Sequence, residues 1–226
     1  MLAFIASEAR EFAGLVRHCE KVARLNWPLD FARNASLNGQ PVILAANGPG
    51  PRLAARAAEV TKEHQELEGL VSIGFCGALN PELSACDIFV ANELHGLPQP
   101  LSVPRCERRP GKLLSIDRVA ATAEEKRTLF EQTHAAAVEM EAAALAAKSR
   151  EWQIPCYAIK VVTDTASETF PLDFNRLRDA EGRFSRTKIL LAALRRPAAF
   201  PALLNLNRRC NQASRALGDF LAGTRF

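Results

Sequence analysis

Residues 31–75, FARNASLNGQPVILAANGPGPRLAARAAEVTKEHQELEGLVSIGF, decide the fold. Asn38-Gly39 stands between two apolar stretches, the strongest short-range hairpin signal. NGPGP (47–51) then turns the chain, RLAARAAEVTKEHQELE (52–68) reads as a helix, and LVSIGF (70–75) as a buried strand. Strands alternating with helices predict a layered α/β/α fold with a mainly parallel sheet, and the hairpin makes that sheet mixed. Working outward, MLAFIA (1–6) reads as a first strand, followed by Phe12, Leu15, Val16 and Cys19 at near-helical spacing. DIFVANEL (87–94) and IPCYAIKVVTD (154–164) read as further strands. Between Glu93 and Lys112, four prolines and the cluster Arg105, Arg108, Arg109 and Lys112 predict a long surface loop.

AAAVEMEAAALAAK (135–148) predicts an alanine-rich helix carrying Glu139 and Glu141. On a helix, positions two apart lie roughly 200° apart, so one carboxylate is expected in solvent and the other inside. An inward carboxylate among Met140, Ala143, Ala144 and Leu145 needs a polar partner, from the protein or from a ligand.

The 226 residues, 48% hydrophobic and 24% charged, fit one domain, 1–226, with a basic helical region over about 176–226. The longest apolar runs, such as ILLAAL (189–194), fall far short of the ~20 residues of a membrane span. The opening stretch has no basic region and is broken by Ser7 and Glu8, which predicts a cytoplasmic protein without a secretory signal. Six cysteines and four histidines show no ligand spacing, so reduced thiols, no metal and no cofactor are expected. VILAANGPGPRLAARA has the strand, turn and helix order of a dinucleotide site but lacks the third glycine. His95 reads as a surface residue and Cys76 as small core filler rather than a nucleophile. From Arg176 onward the net charge is +8, against −4 on the first 175 residues. No aromatic interleaving accompanies the loop arginines, so nucleic acid is not an expected partner.

In open α/β sheets, ligands bind at the carboxyl ends of the strands. The residues there are Ser7, Glu8 and Glu11, then Asn47, then Phe75 to Gly77, then Thr163 and Asp164. Glu11, Glu141 and Asp164 converge if the alanine-rich helix also borders the cleft.

VEMEAAALA, followed about twenty residues later by IKVVTDTASE and preceded by SIGFCGALNPELSACDIFVA, resembles the purine nucleoside phosphorylase and methylthioadenosine/S-adenosylhomocysteine nucleosidase superfamily. The resemblance covers roughly residues 1–170 and implies cleavage of the N-glycosidic bond of an adenine nucleoside. It implies that Asp164 delivers a proton to the leaving base, that Glu141 accepts hydrogen bonds from the sugar hydroxyls with Met140 beside the sugar, and that Glu139 points elsewhere. Glu11 in IASEAREFAGL matches the glutamate that activates water, where phosphorylases carry a glycine-rich turn and an arginine. Phe75, Cys76 and Gly77, with Pro49, Thr163 and Val119, fall at positions beside the substrate. GFCGA replaces the serine-containing turn GSAGG, and Val119 is the nearest match for the aromatic that stacks on adenine. Arg10 and Arg52 leave phosphorolysis open, and a non-catalytic nucleoside-binding protein of the same fold is the other alternative.

The tail RDAEGRFSRTKILLAALRRPAAFPALLNLNRRCNQASRALGDFLA resembles the C-terminal region of the hopanoid-associated branch, which implies a nucleoside with a polycyclic lipid at its 5′ position. Leu203, Leu206, Cys210, Ala213, Leu217 and Phe220 recur at spacings of three and four, giving an apolar stripe. Packing on its own domain is one use of that stripe; peripheral contact with the inner face of a membrane is the other. Self-association as a dimer is also open.

Overall fold

The computed structural model describes residues 1–106 and 110–226; Arg108 and Arg109 lie outside the described residues. The strands are β1 (Leu2–Ala6), β2 (Cys19–Arg24), β3 (Phe31–Leu37), β4 (Gln40–Ala46), β5 (Gly69–Ala78), β6 (Ile88–Leu94), β7 (Gly111–Ser115), β8 (Ala137–Glu139) and β9 (Cys156–Asp164). The helices are α1 (Pro51–His64), α2 (Ala123–Thr133), α3 (Ala142–Glu151), α4 (Arg186–Arg195) and α5 (Phe200–Ala222).

Asn38 and Gly39, both at positive φ, turn β3 into its antiparallel partner β4. β4 then lies parallel to β1, and α1 carries the chain across to β5, which lies parallel to β1 on its other side. The mixed nine-stranded sheet runs β2-β3-β4-β1-β5-β8-β7-β6-β9, and β9 returns to pair in parallel with β5. Five strands thus close on themselves, and the carboxyl ends of β5 and β9 meet at the mouth of this barrel-like half. Helices α1 and α3 cover one face over Ala54, Ala57, Leu145 and Ala146. Helix α5 covers the other, burying Ala213, Leu217 and Leu221 completely. A large side chain buried in this way stabilises the fold by ~1.5 to 3 kcal/mol.

The structure corrects three local expectations. The helix expected after β1 is absent; Ala9–Phe12 and Leu15–His18 form single 3₁₀ turns and Cys19 starts β2. The backbone crosses α5 too closely for a helix there, since a Cβ on Gly14 would lie 2.0 Å from Ser214 O and one on Gly218 would lie 2.2 Å from Gly14 C. The alanine-rich stretch is not one helix either: Ala137–Glu139 pair with β7 as β8, and α3 begins only at Ala142. The proline-rich loop ends earlier than expected, because Gly111 already starts β7.

Candidate active site

The first acid stands just beyond the carboxyl end of β1, an inner strand of the sheet. At the end of β1, Glu11 folds back in its 3₁₀ turn so that Oε2 accepts hydrogen bonds from Ser7 N (2.7 Å), Ser7 Oγ (2.9 Å) and Glu8 N (2.9 Å). Oε1 accepts one from Phe75 N at 3.1 Å. Gly74, at φ 125°, leaves the room for this: a Cβ there would lie 2.8 Å from Glu11 Oε1. Helix α5 holds the turn from outside, where Ser214 Oγ donates to Arg10 O at 2.9 Å and accepts from Gly14 N at 3.1 Å.

Glu139 and Glu141 are both buried, contrary to the expectation that one faces solvent. Because the strand ends at Glu139, its carboxylate sits at the start of α3. It accepts from Glu141 N and Ala142 N at 3.0 Å and pairs with Lys160 Nζ at 2.9 Å. These are the free amides and positive dipole end of a helix N-terminus, a favourable place for an anion. Burial alone would raise the Glu139 carboxyl, but Lys160 and the donors around it outweigh that and hold it below the ordinary carboxylate range. Glu141 is turned the other way, with Oε1 accepting from Gly50 N at 2.8 Å. Its burial, reinforced by the neighbouring Glu139 charge, pushes it up to about 8.

Asp164 closes β9. Its Oδ1 accepts from Thr163 Oγ1 at 2.8 Å, and its Oδ2 lies 2.5 Å from Lys126 Nζ on α2. Desolvation raises this carboxyl even though Lys126 opposes the rise. Cys76 is buried and its thiol is pushed up by desolvation, so no thiolate forms there.

A cavity of about 520 Å³ joins these groups. Every residue expected beside the substrate lines it: Glu11, Pro49, Phe75, Cys76, Gly77, Val119, Met140, Glu141, Thr163 and Asp164. Arg10 is also on the wall but is paired with Glu8 at 2.7 Å. Arg52 is directed to Glu181 O instead, at 2.5 Å.

Several wall residues were not legible in the sequence. Phe170, Phe174 and Phe184 come from the segment between β9 and α4 and supply aromatic surface near Val119, whose backbone N–H donates to Asn175 Oδ1 and whose carbonyl accepts from Asn175 Nδ2. Ile189 of α4 and Leu203 and Leu206 of α5 complete an apolar outer end. Lys160 was signalled in principle, since a lysine within the apolar run AIKVV demands a buried partner. Lys126, in EEKR, looks like any solvated helix residue. Among the described residues, no group of three or more His, Cys, Asp or Glu is arranged to hold a metal ion.

Solved structures share this architecture at low sequence identity. The 5′-methylthioadenosine/S-adenosylhomocysteine nucleosidase of Campylobacter jejuni matches with a TM-score of 0.70 and 17% identity, over 98% of this chain and 96% of that one. The Helicobacter pylori nucleosidase of the same name, complexed with an amino-pyrrolopyrimidine pyrrolidinol, gives 0.71 and 15%, over 98% and 96%. The futalosine hydrolase of Helicobacter pylori gives 0.69 and 15%, over 97% and 94%. A family profile described as the phosphorylase superfamily matches residues 5–112 and 107–195, leaving residues 1–4 and 196–226 outside it. With the mixed sheet, the acids at its strand ends and most of its length inside that profile, the chain belongs to the phosphorylase superfamily.

Proposed function

We propose that the protein is a nucleosidase that hydrolyses the N-glycosidic bond of a 5′-substituted adenosine. The observation that carries this reading is Glu11, a carboxylate fixed inside the cavity by four donors. An anion in a closed site repels phosphate at short range, and Arg10 is already neutralised by Glu8. Glu11 Oε1 accepts only one of the four bonds, so it keeps a lone pair with which to orient and deprotonate water. Glu141 accepts the sugar hydroxyls, and Asp164 protonates the leaving adenine. The aromatic side chains Phe170, Phe174 and Phe184 give the base and the 5′ group an apolar surround. The solved nucleosidases support this reading through their fold.

The outer end of the cavity, Ile189, Leu203 and Leu206, suits a large apolar 5′ group such as the hopanoid-like substituent that the tail resemblance implies. Beyond it, Leu190, Leu191, Leu194 and Leu204 are more than half exposed. Residues 182–218 contain no Asp or Glu and eight Lys or Arg, so this face suits an anionic lipid surface better than a second copy of itself. Leu190→Ser/Leu191→Ser/Leu194→Ser is expected to abolish sedimentation with anionic vesicles and to leave the melting temperature unchanged.

The deciding experiment is adenine release from 5′-methylthioadenosine in the presence of excess phosphate. The expected sugar product is the free ribose derivative, and Asp164→Asn is expected to lower turnover by about 10²-fold. A ribose 1-phosphate as the main product would make the protein a phosphorylase, and unimpaired Asp164→Asn would remove Asp164 from the chemistry.

A further inference from the structure

Lys126 is completely buried and stands behind Asp164, off the cavity wall. An ammonium has three protons to donate. Here all three have acceptors: Asp164 Oδ2 at 2.5 Å, Thr165 O at 2.8 Å and Glu168 O at 3.2 Å. The ring of Phe170, itself on the cavity wall, lies 5.4 Å from the same nitrogen. The turn after β9 is stitched to α2 around this point, through Ala123 N to Thr169 Oγ1 at 3.1 Å and Phe170 N to Ala121 O at 2.9 Å. A buried lysine is costly, and this one is spent wholly on one carboxyl group and the turn that carries it.

We propose that Lys126 is a positioning residue for departure of the base: it fixes Asp164 toward the cavity and stabilises the carboxylate that Asp164 becomes when it gives up its proton. This rests on the nucleosidase reading and adds a residue to it. In the step concerned, the bond from C1′ to the purine nitrogen breaks and its electron pair goes to the base. The Asp164 proton moves to a purine nitrogen, while water forms the new bond to C1′ and loses its own proton to Glu11. Lys126 transfers no proton in this step. Its charge counts most as Asp164 turns from neutral acid to anion, which makes Asp164 a stronger acid than its burial alone would allow.

The other groups around Asp164 cannot substitute. Glu168, in the turn after β9, is an anion and is engaged by Arg209 of α5. Thr163 donates a neutral hydroxyl, Cys76 and Cys210 are thiols raised by burial, and Lys160 is committed to Glu139.

The test compares wild type with Lys126→Met and with Lys126→Gln, which keeps a donor but not the charge, using adenosine and 5′-methylthioadenosine across pH. For both variants kcat is expected to fall by roughly 10- to 100-fold with KM nearly unchanged, since Lys126 does not touch substrate. The protonated Asp164 is the active form, so activity falls as pH rises through its pKa. Removing the ammonium raises that pKa, and the alkaline limb of the profile is expected to move to higher pH. 4-Nitrophenyl riboside, whose leaving group needs no proton, is expected to lose much less rate than the nucleosides. Folding is checked by thermal melting, and Lys126→Gln decides the matter if the methionine variant does not fold. Wild-type-like kcat and an unmoved alkaline limb overturn the assignment while leaving the nucleosidase reading intact. Wild type that releases adenine from neither nucleoside overturns both.

Discussion

Lys160 and Lys126 are both completely buried, and each ends on a carboxylate at the cavity wall, Glu139 at 2.9 Å and Asp164 at 2.5 Å. The two pairs nevertheless hold their acids on opposite sides of the ordinary carboxylate range. Glu139 lies below it because Lys160, which also donates to Ile73 O at 3.1 Å, outweighs desolvation with the help of the Ser115 hydroxyl and the Glu141 amide. Asp164 lies above it because desolvation exceeds what Lys126 and one hydroxyl give back. An ion pair alone therefore does not determine whether a buried acid stays ionised; the number of additional donors does. Glu139 is a permanent anion joining β8, α3 and β9. Asp164 is an acid able to hold a proton.

The largest expected effect follows from taking away one lysine of each pair. Lys160→Met removes the countercharge of Glu139 from the sheet, and breaking a buried pair this way typically costs about 3 to 5 kcal/mol. Lys126→Met leaves an acid that can take up a proton from the cavity, so its loss is expected to be less than half as large, by roughly that reasoning. Urea unfolding of both variants measures the difference. Equal losses would mean that the two pairs serve the same structural purpose and would break the comparison.

Much of this arrangement could be read from the sequence, but unevenly. The Asn38-Gly39 hairpin and the apolar runs of β1, β5 and β9 are legible because turn chemistry and burial on both faces are local properties. Glu11, Glu141 and Asp164 are legible because they stand at strand ends or within a motif. The three residues AVE of β8 are too few to interrupt a run of alanines, which favour a helix wherever nothing else intervenes. The sheet supplies what the local pattern lacks, since β7 and β5 each offer a free edge to β8. With the strand comes the correction to Glu139, whose inward orientation cannot follow from helical geometry. Lys126 and the phenylalanines 170, 174 and 184 are brought in by tertiary packing, and their spacing in the chain carries no trace of it.

A finer test uses the opposite directions of the two acids. Glu139, lowered on folding, contributes stability that is present above the unfolded carboxylate value and lost as pH falls through the folded one. Asp164, raised on folding, contributes stability that is complete below the unfolded value and lost as pH rises through the folded one. Replacing each by its amide removes that dependence and little of the volume. The melting temperature of Glu139→Gln is therefore expected to fall below wild type by a margin that holds steady from pH 7 down to about 4.5 and narrows as pH is lowered further. The margin for Asp164→Asn is expected to change the other way and in a higher window, widening as pH is lowered from 7 toward 4. Glu141, pushed up to about 8 in part by the Glu139 charge, adds its own loss of stability as pH rises, so both margins are measured in a Glu141→Gln background, where that contribution is absent. Margins that move in the same direction would show that Asp164 is held as a permanent anion like Glu139. Lys126 would then be a second staple, and the leaving-group proton would have to come from elsewhere in the cavity.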